Sequence, residues 1–197
     1  MPPKPWKVLS SRVNESFRIF NLRIDRAFSP RTHHAHDFYI LESTDWVNVI
    51  PITSHGEVVL VRQYRHGTRE MTLEIPGGIV ESEDSAEDAA RRELSEETGY
   101  QEGGLVLLGS VNPNPAFLTN RCYTYVARDV VRAKRQEQDE KEDIEVVVRS
   151  LEEVPRLIRE GEITHALVLA AFYRYYMEYL PSLSGAPASQ LPSVDKG

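Results

Sequence analysis

Glu93, Glu96 and Glu97 stand at positions i, i+3 and i+4. On a helix this spacing turns all three carboxylates to one side. Like charges held so close repel, and a fold keeps them mainly when a cation sits between them. Oxygen-only ligands suit hard ions such as Mg2+, Mn2+ or Ca2+, and a hard cation held on a helix suggests phosphate chemistry. The surrounding segment, Gly77 to Tyr100, reads GGIVESEDSAEDAARRELSEETGY. It places eight carboxylates between a glycine pair and a closing glycine.

The local pattern predicts how these groups are positioned. Ser85 reads as an N-cap with Asp88 three residues on, which resembles a capping box. Asp88 and Arg92 are spaced as an i, i+4 pair, and Ala86, Ala89, Ala90 and Leu94 form an apolar stripe. Gly99 lies where a left-handed residue would end the helix. Upstream, EVVLVRQYR (Glu57 to Arg65) is a strong strand, and TLEIP is a short one that leads into Gly77-Gly78. Before them, the largely alternating FRIFNLRID (Phe17 to Asp25), DFYILES and DWVNVIPIT read as strands of an N-terminal antiparallel unit. SPRTHHAH between these is loop-like, and His33, His34 and His36 are more simply loop histidines than metal ligands.

Downstream, LVLLGSV, RCYTYVARDVV and IEVVVRS are further strands. Two helices follow, one starting at Ser150 with Glu153 in capping-box register, and one over roughly 164–179. The aromatic run FYRYYMEYL has helical spacing and reads as core packing rather than a base-stacking platform. The order is strands, helix, strands, helices. It predicts an α/β fold with a mixed sheet and helices on both faces, plus the N-terminal antiparallel sheet. The domains expected are residues 1–45 as a β unit, 46–180 as the main domain and 181–197, rich in Pro, Ser and Ala, as a disordered tail.

Composition narrows the function classes. The chain has 197 residues, 41% of them hydrophobic, with a net charge of −7. That acidity argues against non-specific nucleic-acid binding, which needs Lys and Arg in excess. The single cysteine, Cys122, permits no disulfide within the chain and fits a reducing cytosol, so a cytoplasmic location is expected. The start, MPPKPWKVLSSR, has no apolar run suited to a signal peptide, and no later stretch is long enough to span a membrane.

The carboxylate segment resembles the Nudix box, G-x5-E-x7-R-E-U-x-E-E-x-G-U, where U is bulky and apolar. With Gly78 as its first glycine, Arg92, Glu93, Leu94, Glu96, Glu97, Gly99 and Tyr100 fall in register. Asp84 stands where the box has its first Glu. The resemblance implies an α/β/α sandwich and hydrolysis of a phosphoanhydride in a nucleoside diphosphate linked to another moiety. It also implies Mg2+ as cofactor, with Mn2+ as an alternative. The metal would be held by Glu93, Glu96 and Glu97 and by the main-chain carbonyl of Gly77, and Glu96 and Glu97 would serve catalysis.

Outside the box, VLVRQYRHGTREMTLEIPGG looks like the matching run in ADP-ribose pyrophosphatases and related nucleoside diphosphate sugar hydrolases. In those enzymes an arginine at the position of Arg65 contacts substrate, and Glu74 would lie near the metals. Arg62 and Phe117 are further substrate-contact candidates, the latter by stacking from NPNPAFLTNR. That loop replaces the SPG type common in ADP-ribose enzymes and leaves other sugar nucleotides open. The catalytic base of this branch often comes from a late loop. Here QEQDEKEDIEVV offers Glu142, with Glu140 as the second candidate. The branch also implies a homodimer whose N-terminal sheets exchange between subunits. Competing readings are action on a dinucleotide, NADH or GDP-mannose, and a non-catalytic ligand-sensing module. An isomerase of isopentenyl diphosphate is a third, but it would need a catalytic cysteine, and Cys122 in a strand reads as an inert thiol.

Overall fold

A computed structural model describes residues 2–137 and 143–183. It begins with a three-stranded antiparallel sheet of β1 (Lys7–Ser16), β2 (Asn21–Phe28) and β3 (Ala35–Glu42). The sequence pattern placed a strand from Phe17 to Asp25 and none before it. Instead Phe17 to Phe20 forms a turn, with the Phe17 N–H donating to the Phe20 carbonyl at 2.8 Å and the two rings 4.9 Å apart. β1 left no periodic signature because every one of its residues is exposed. A strand with no buried face has no reason to alternate.

The main sheet comprises β4 (Trp46–Ile52), β5 (Glu57–Arg65), β9 (Gly104–Val111), β10 (Cys122–Arg128) and β12 (Ile144–Ser150). Their order is β12-β5-β4-β10-β9, with the short β6 (Glu70–Glu74) against β5 and β7 (Gly77–Ile79) against β4. β4 and β10 run parallel while the other pairings are antiparallel, so the sheet is mixed. DWVNVIPIT, expected in the N-terminal unit, instead lies inside this sheet because its strand is buried on both faces. A small ladder joins β8 (Tyr100–Gln101) to β11 (Val131–Arg132).

Helix α1 (Ala86–Thr98) covers one face of the sheet, where Ala89, Ala90 and Leu94 pack on Val47, Val49, Val59, Tyr125 and Ala127. The other face is covered by α2 (Val154–Arg159) and α3 (Ala166–Leu183), with Leu157, Val168 and Phe172 against Ile50, Leu60 and Val126. β4 and β5 are buried on both faces, which is why they read as continuous rather than alternating apolar runs. The aromatic run belongs to this core through Phe172 and Tyr175. The capping box at Ser150 and Glu153 forms as expected and opens a 3-10 turn into α2. α3 continues to Leu183, four residues beyond the expected end at Tyr179. Among the described residues no helix is long and apolar enough to cross a membrane.

Candidate active site

The signals that shape α1 are local, and they form as read. The Ser85 hydroxyl accepts from the Asp88 N–H at 3.1 Å, and Gly99 ends the helix in the left-handed region at φ 74°. Glu93 and Glu97 lie on the edge of the buried stripe, 9% and 4% exposed, while Glu96 sits further out. The expected Asp88–Arg92 pair does not form. The Arg92 guanidinium bonds Glu93 at 2.8 Å, Glu96 at 3.3 Å, Asp84 at 3.2 Å and the Ile79 carbonyl at 3.0 Å. The loop before the helix folds back and brings those oxygens to it, and Asp88 turns to the Ser85 hydroxyl. Asp84, the one departure from the box, thus holds the arginine that clamps two box glutamates.

Both box glycines are set by close approach. A Cβ on Gly78 would overlap the Glu93 carboxylate, and one on Gly77 would overlap the Val47 carbonyl oxygen. The Gly77 N–H donates to Glu97 Oε2 at 2.9 Å. Among the described residues no three His, Cys, Asp or Glu side chains converge as ligands. Arg92 and the Gly77 amide engage the glutamates instead. The donor set itself fits a hard cation: carboxylates on successive turns of α1 face a glycine loop that only a missing Cβ lets close over Glu93.

A cavity of 450 Å³ opens on the other side of this loop, and Gly77, Gly78 and Ile79 are part of its wall. Arg65 and Glu74 enter it from the β5–β6 hairpin. The register pairs Arg65 with Glu70, Gln63 with Thr72 and Val61 with Glu74, so Arg65, Thr72 and Glu74 share one face. The Arg65 side chain reaches back along the strand, and its Nε and Nη2 donate to the two Glu74 oxygens at 2.7 and 2.6 Å. The Thr72 hydroxyl donates to Glu74 Oε1 at 2.6 Å. Burial pushes the Glu74 carboxyl up, but the bonds from Arg65 and Thr72 and the charges of Arg65 and His165 outweigh it, so its pKa falls below the ordinary value. The Glu74 bonds raise Arg65 in turn, with burial opposing. The result is a guanidinium locked in direction at the cavity wall.

With this geometry in place, known proteins supply the comparison. The NUDIX domain model matches residues 43–172, well over half of the chain. The chain belongs to the Nudix family. An ADP-ribose pyrophosphatase of Bacillus subtilis is 31% identical over 121 residues, which are 61% of this chain and 65% of that enzyme. The methanol dehydrogenase activator of Bacillus methanolicus is 30% identical over 176 residues, 88% of this chain and 95% of that protein. A crystal structure of an ADP compounds hydrolase superposes with a TM-score of 0.79, covering 95% of this chain and all of that one at 20% identity, which speaks for the fold. The family match and the similarity to ADP-ribose pyrophosphatases support the ADP-ribose pyrophosphatase branch of the Nudix family, while the structural match supports the fold.

Other residues singled out in the Nudix chain have different settings. Arg62 pairs with Glu145 of β12 at 3.0 Å and does not line the cavity. Phe117 is exposed, and its carbonyl accepts from the Leu41 N–H of β3 at 2.8 Å. Cys122 lines the cavity but is buried, and burial pushes its thiol up to about 12, with Asp45 adding to the shift. Such a thiol is a poor nucleophile. Glu140 and Glu142 lie outside the described residues. Three cavity residues escaped the sequence reading: Trp46, Asn48 and His165. None belongs to the box or to any spaced motif, and only the packing of α3 on β4 brings them together.

Proposed function

We propose that this chain hydrolyses the pyrophosphate bond of ADP-ribose or a related nucleoside diphosphate sugar in a Mg2+-dependent reaction, giving a nucleoside monophosphate and a sugar phosphate. One observation carries the reading: the intact box glutamates and the oriented Arg65 guanidinium flank the same glycine loop, with a cavity beside it. Glu93, Glu96, Glu97 and the Gly77 carbonyl would hold the metal. A bound Mg2+ supplies charge neutralisation for the diphosphate and lowers the pKa of water. Arg65, held at two of its nitrogens by Glu74, presents its remaining N–H groups to a phosphate. Arg92 fixes the directions of Glu93 and Glu96.

Glu142 is the proposed base, with Glu140 as the second candidate. Both flanks of that segment support this. The Glu137 N–H donates to the Glu96 carbonyl at 3.0 Å, and Gln136 Nε2 bridges the Glu97 and Ile144 carbonyls at 2.6 and 3.1 Å. The chain on either side is therefore fastened to the end of α1 that bears the glutamates.

The test is a panel of ADP-ribose, other sugar nucleotides, NADH, dinucleotides and GDP-mannose, each with Mg2+ or Mn2+ and with EDTA. Release of nucleoside monophosphate from ADP-ribose or another sugar nucleotide, abolished by EDTA, is the expected result. Preference for NADH, a dinucleotide or GDP-mannose would move the assignment within the family. Binding without turnover of any compound would make the chain a sensing module.

The same reading makes the protein a cytoplasmic homodimer built through the N-terminal sheet. Trp6, Val8, Leu9 and Val13 are all exposed there, and Trp6, Val8, Phe38 and Ile40 line a groove of 350 Å³. Exposed apolar area of this kind marks an interaction surface. Sedimentation at micromolar protein is expected to give a dimer, converted to monomer by Val8→Glu with Val13→Glu. A wild-type monomer would remove this part of the reading.

A further inference from the structure

Across β7, β4 and β10 runs a row of side chains that the hydrolase reading leaves unused. Trp46 of β4 is paired with Ile79 of β7 on one side and with Cys122 of β10 on the other. Directly paired residues share a face of the sheet, and neighbouring strands lie about 4.8 Å apart, so the three stand abreast over about 10 Å. All three line the 450 Å³ cavity. Ile79 is 40% exposed and Trp46 is half-buried, so this part of the row is open to what enters the cavity. Cys122 is buried and closes one end of it.

The chemistry of this row differs from that of the Arg65 side. There the polar groups are spent on one another, since Glu74 accepts from both Arg65 and Thr72. What they leave for a ligand is guanidinium N–H, which suits phosphate. The row instead offers an indole between a branched aliphatic chain and a thiol, with Leu167 of α3 bordering the same space. Beyond the indole N–H it has little to give a sugar hydroxyl, whereas every nucleobase has a π face that stacks on an aromatic ring. The next row on the same face, Gly77–Asn48–Thr124, lies about 7 Å along β4. It begins at Gly77, whose carbonyl is the proposed metal ligand, and one ribose spans that interval.

We propose that Trp46, flanked by Ile79, is the platform on which the base of the substrate nucleotide stacks. This rests on the hydrolase reading for the position of the diphosphate, at Arg65 and the Gly77-Gly78 loop. Stacking uses the face of a base and not its edge, so the platform holds nucleotides as a class and leaves the choice of base to other contacts. It supplies the ring contact expected of Phe117, which does not line this cavity.

The chain has two tryptophans, so Trp6→Phe leaves Trp46 as the single indole reporter. That variant is titrated in EDTA with AMP and with ribose 5-phosphate while indole fluorescence is followed. AMP is expected to quench Trp46, and ribose 5-phosphate to leave it unchanged. Calorimetry then compares AMP affinity in the wild type, Trp46→Leu and Trp46→Tyr, with melting temperature as the folding control. Trp46→Leu is expected to weaken AMP about tenfold or more, and Trp46→Tyr to recover most of the loss. Should Trp46→Leu not fold, the Trp6→Phe titration decides. The proposal is overturned if millimolar AMP leaves the fluorescence unchanged or if ribose 5-phosphate quenches equally. A folded Trp46→Leu protein that binds AMP as the wild type does also overturns it. Turnover with Mg2+ is scored separately. Quenching without turnover upholds the platform and rejects the hydrolase, while turnover without quenching does the reverse.

Discussion

Glu97→Gln is expected to lower kcat about 10³-fold on whichever sugar nucleotide the wild type hydrolyses, with little change in melting temperature. The substitution keeps side-chain length and leaves an oxygen that can still accept from the Gly77 N–H, the bond that closes the glycine loop on α1. What it removes is one negative charge from the carboxylates proposed to hold Mg2+. Charge placed in advance at a reacting centre is worth about 10²–10³ in kcat per group, and the metal acts through such charge. Steady-state kinetics across Mg2+ concentrations, with circular dichroism and melting curves, check it. The expected protein is folded and slow at every Mg2+ concentration. A variant within a few-fold of wild type would mean that Glu97 does not serve the metal, and the box would then have a structural role in this chain.

Arg65→Met should cost about 1–3 kcal/mol of stability near pH 8: the buried Glu74 carboxylate loses a charged donor, while the guanidinium itself, 42% exposed, is partly screened by solvent. Methionine preserves much of the stem packing, so the loss is electrostatic. Glu74 is 2% exposed, and without the guanidinium its carboxylate keeps the Thr72 hydroxyl as its other side-chain donor. The pH dependence follows from the shift. In the wild type the folded Glu74 lies below its ordinary value. Its contribution is therefore present above the unfolded pKa and lost as pH falls through the folded one. In the variant, burial dominates and the folded value rises above the unfolded one. Its penalty is then largest at high pH and shrinks as the carboxyl takes up a proton. The gap between the two proteins in urea midpoint is expected to narrow steadily from pH 8 to pH 4. A gap that does not change with pH would show that Arg65 contributes by packing alone. The same variant should also lose affinity for the diphosphate.

Much of the site could be read from the chain because its determinants lie close together in sequence. Ser85, Asp88, Gly99 and the i, i+3, i+4 glutamates act within a few turns of one helix, and local hydrogen bonds and spacing decide their arrangement. The strong strands β4, β5, β10 and β12 were likewise evident, since burial on both faces leaves an apolar run. Legibility failed where nothing buried imposed a period. β1 is exposed throughout and carried no pattern, and Phe17 to Phe20 alternated yet forms a turn. Spacing also misassigned Arg92. An i, i+4 pair with Asp88 is worth only a few tenths of a kcal/mol, and it yields to Asp84, Glu93, Glu96 and the Ile79 carbonyl once the loop folds back.

The sequence by itself determined the carboxylate helix, its caps and the glycine loop, because each depends on residues a few positions apart, and it carried the resemblance to the Nudix box on these same residues. Only the tertiary structure decided that Arg65 reaches back to Glu74 across a hairpin. It alone placed Asn48 of β4 opposite Leu167 of α3, 119 residues away. It also left the Asn48 oxygen and the His165 nitrogen buried without hydrogen-bond partners among the described residues. Contacts between distant segments follow from sheet register and helix packing, which are set by the whole core at once, and no local pattern encodes them.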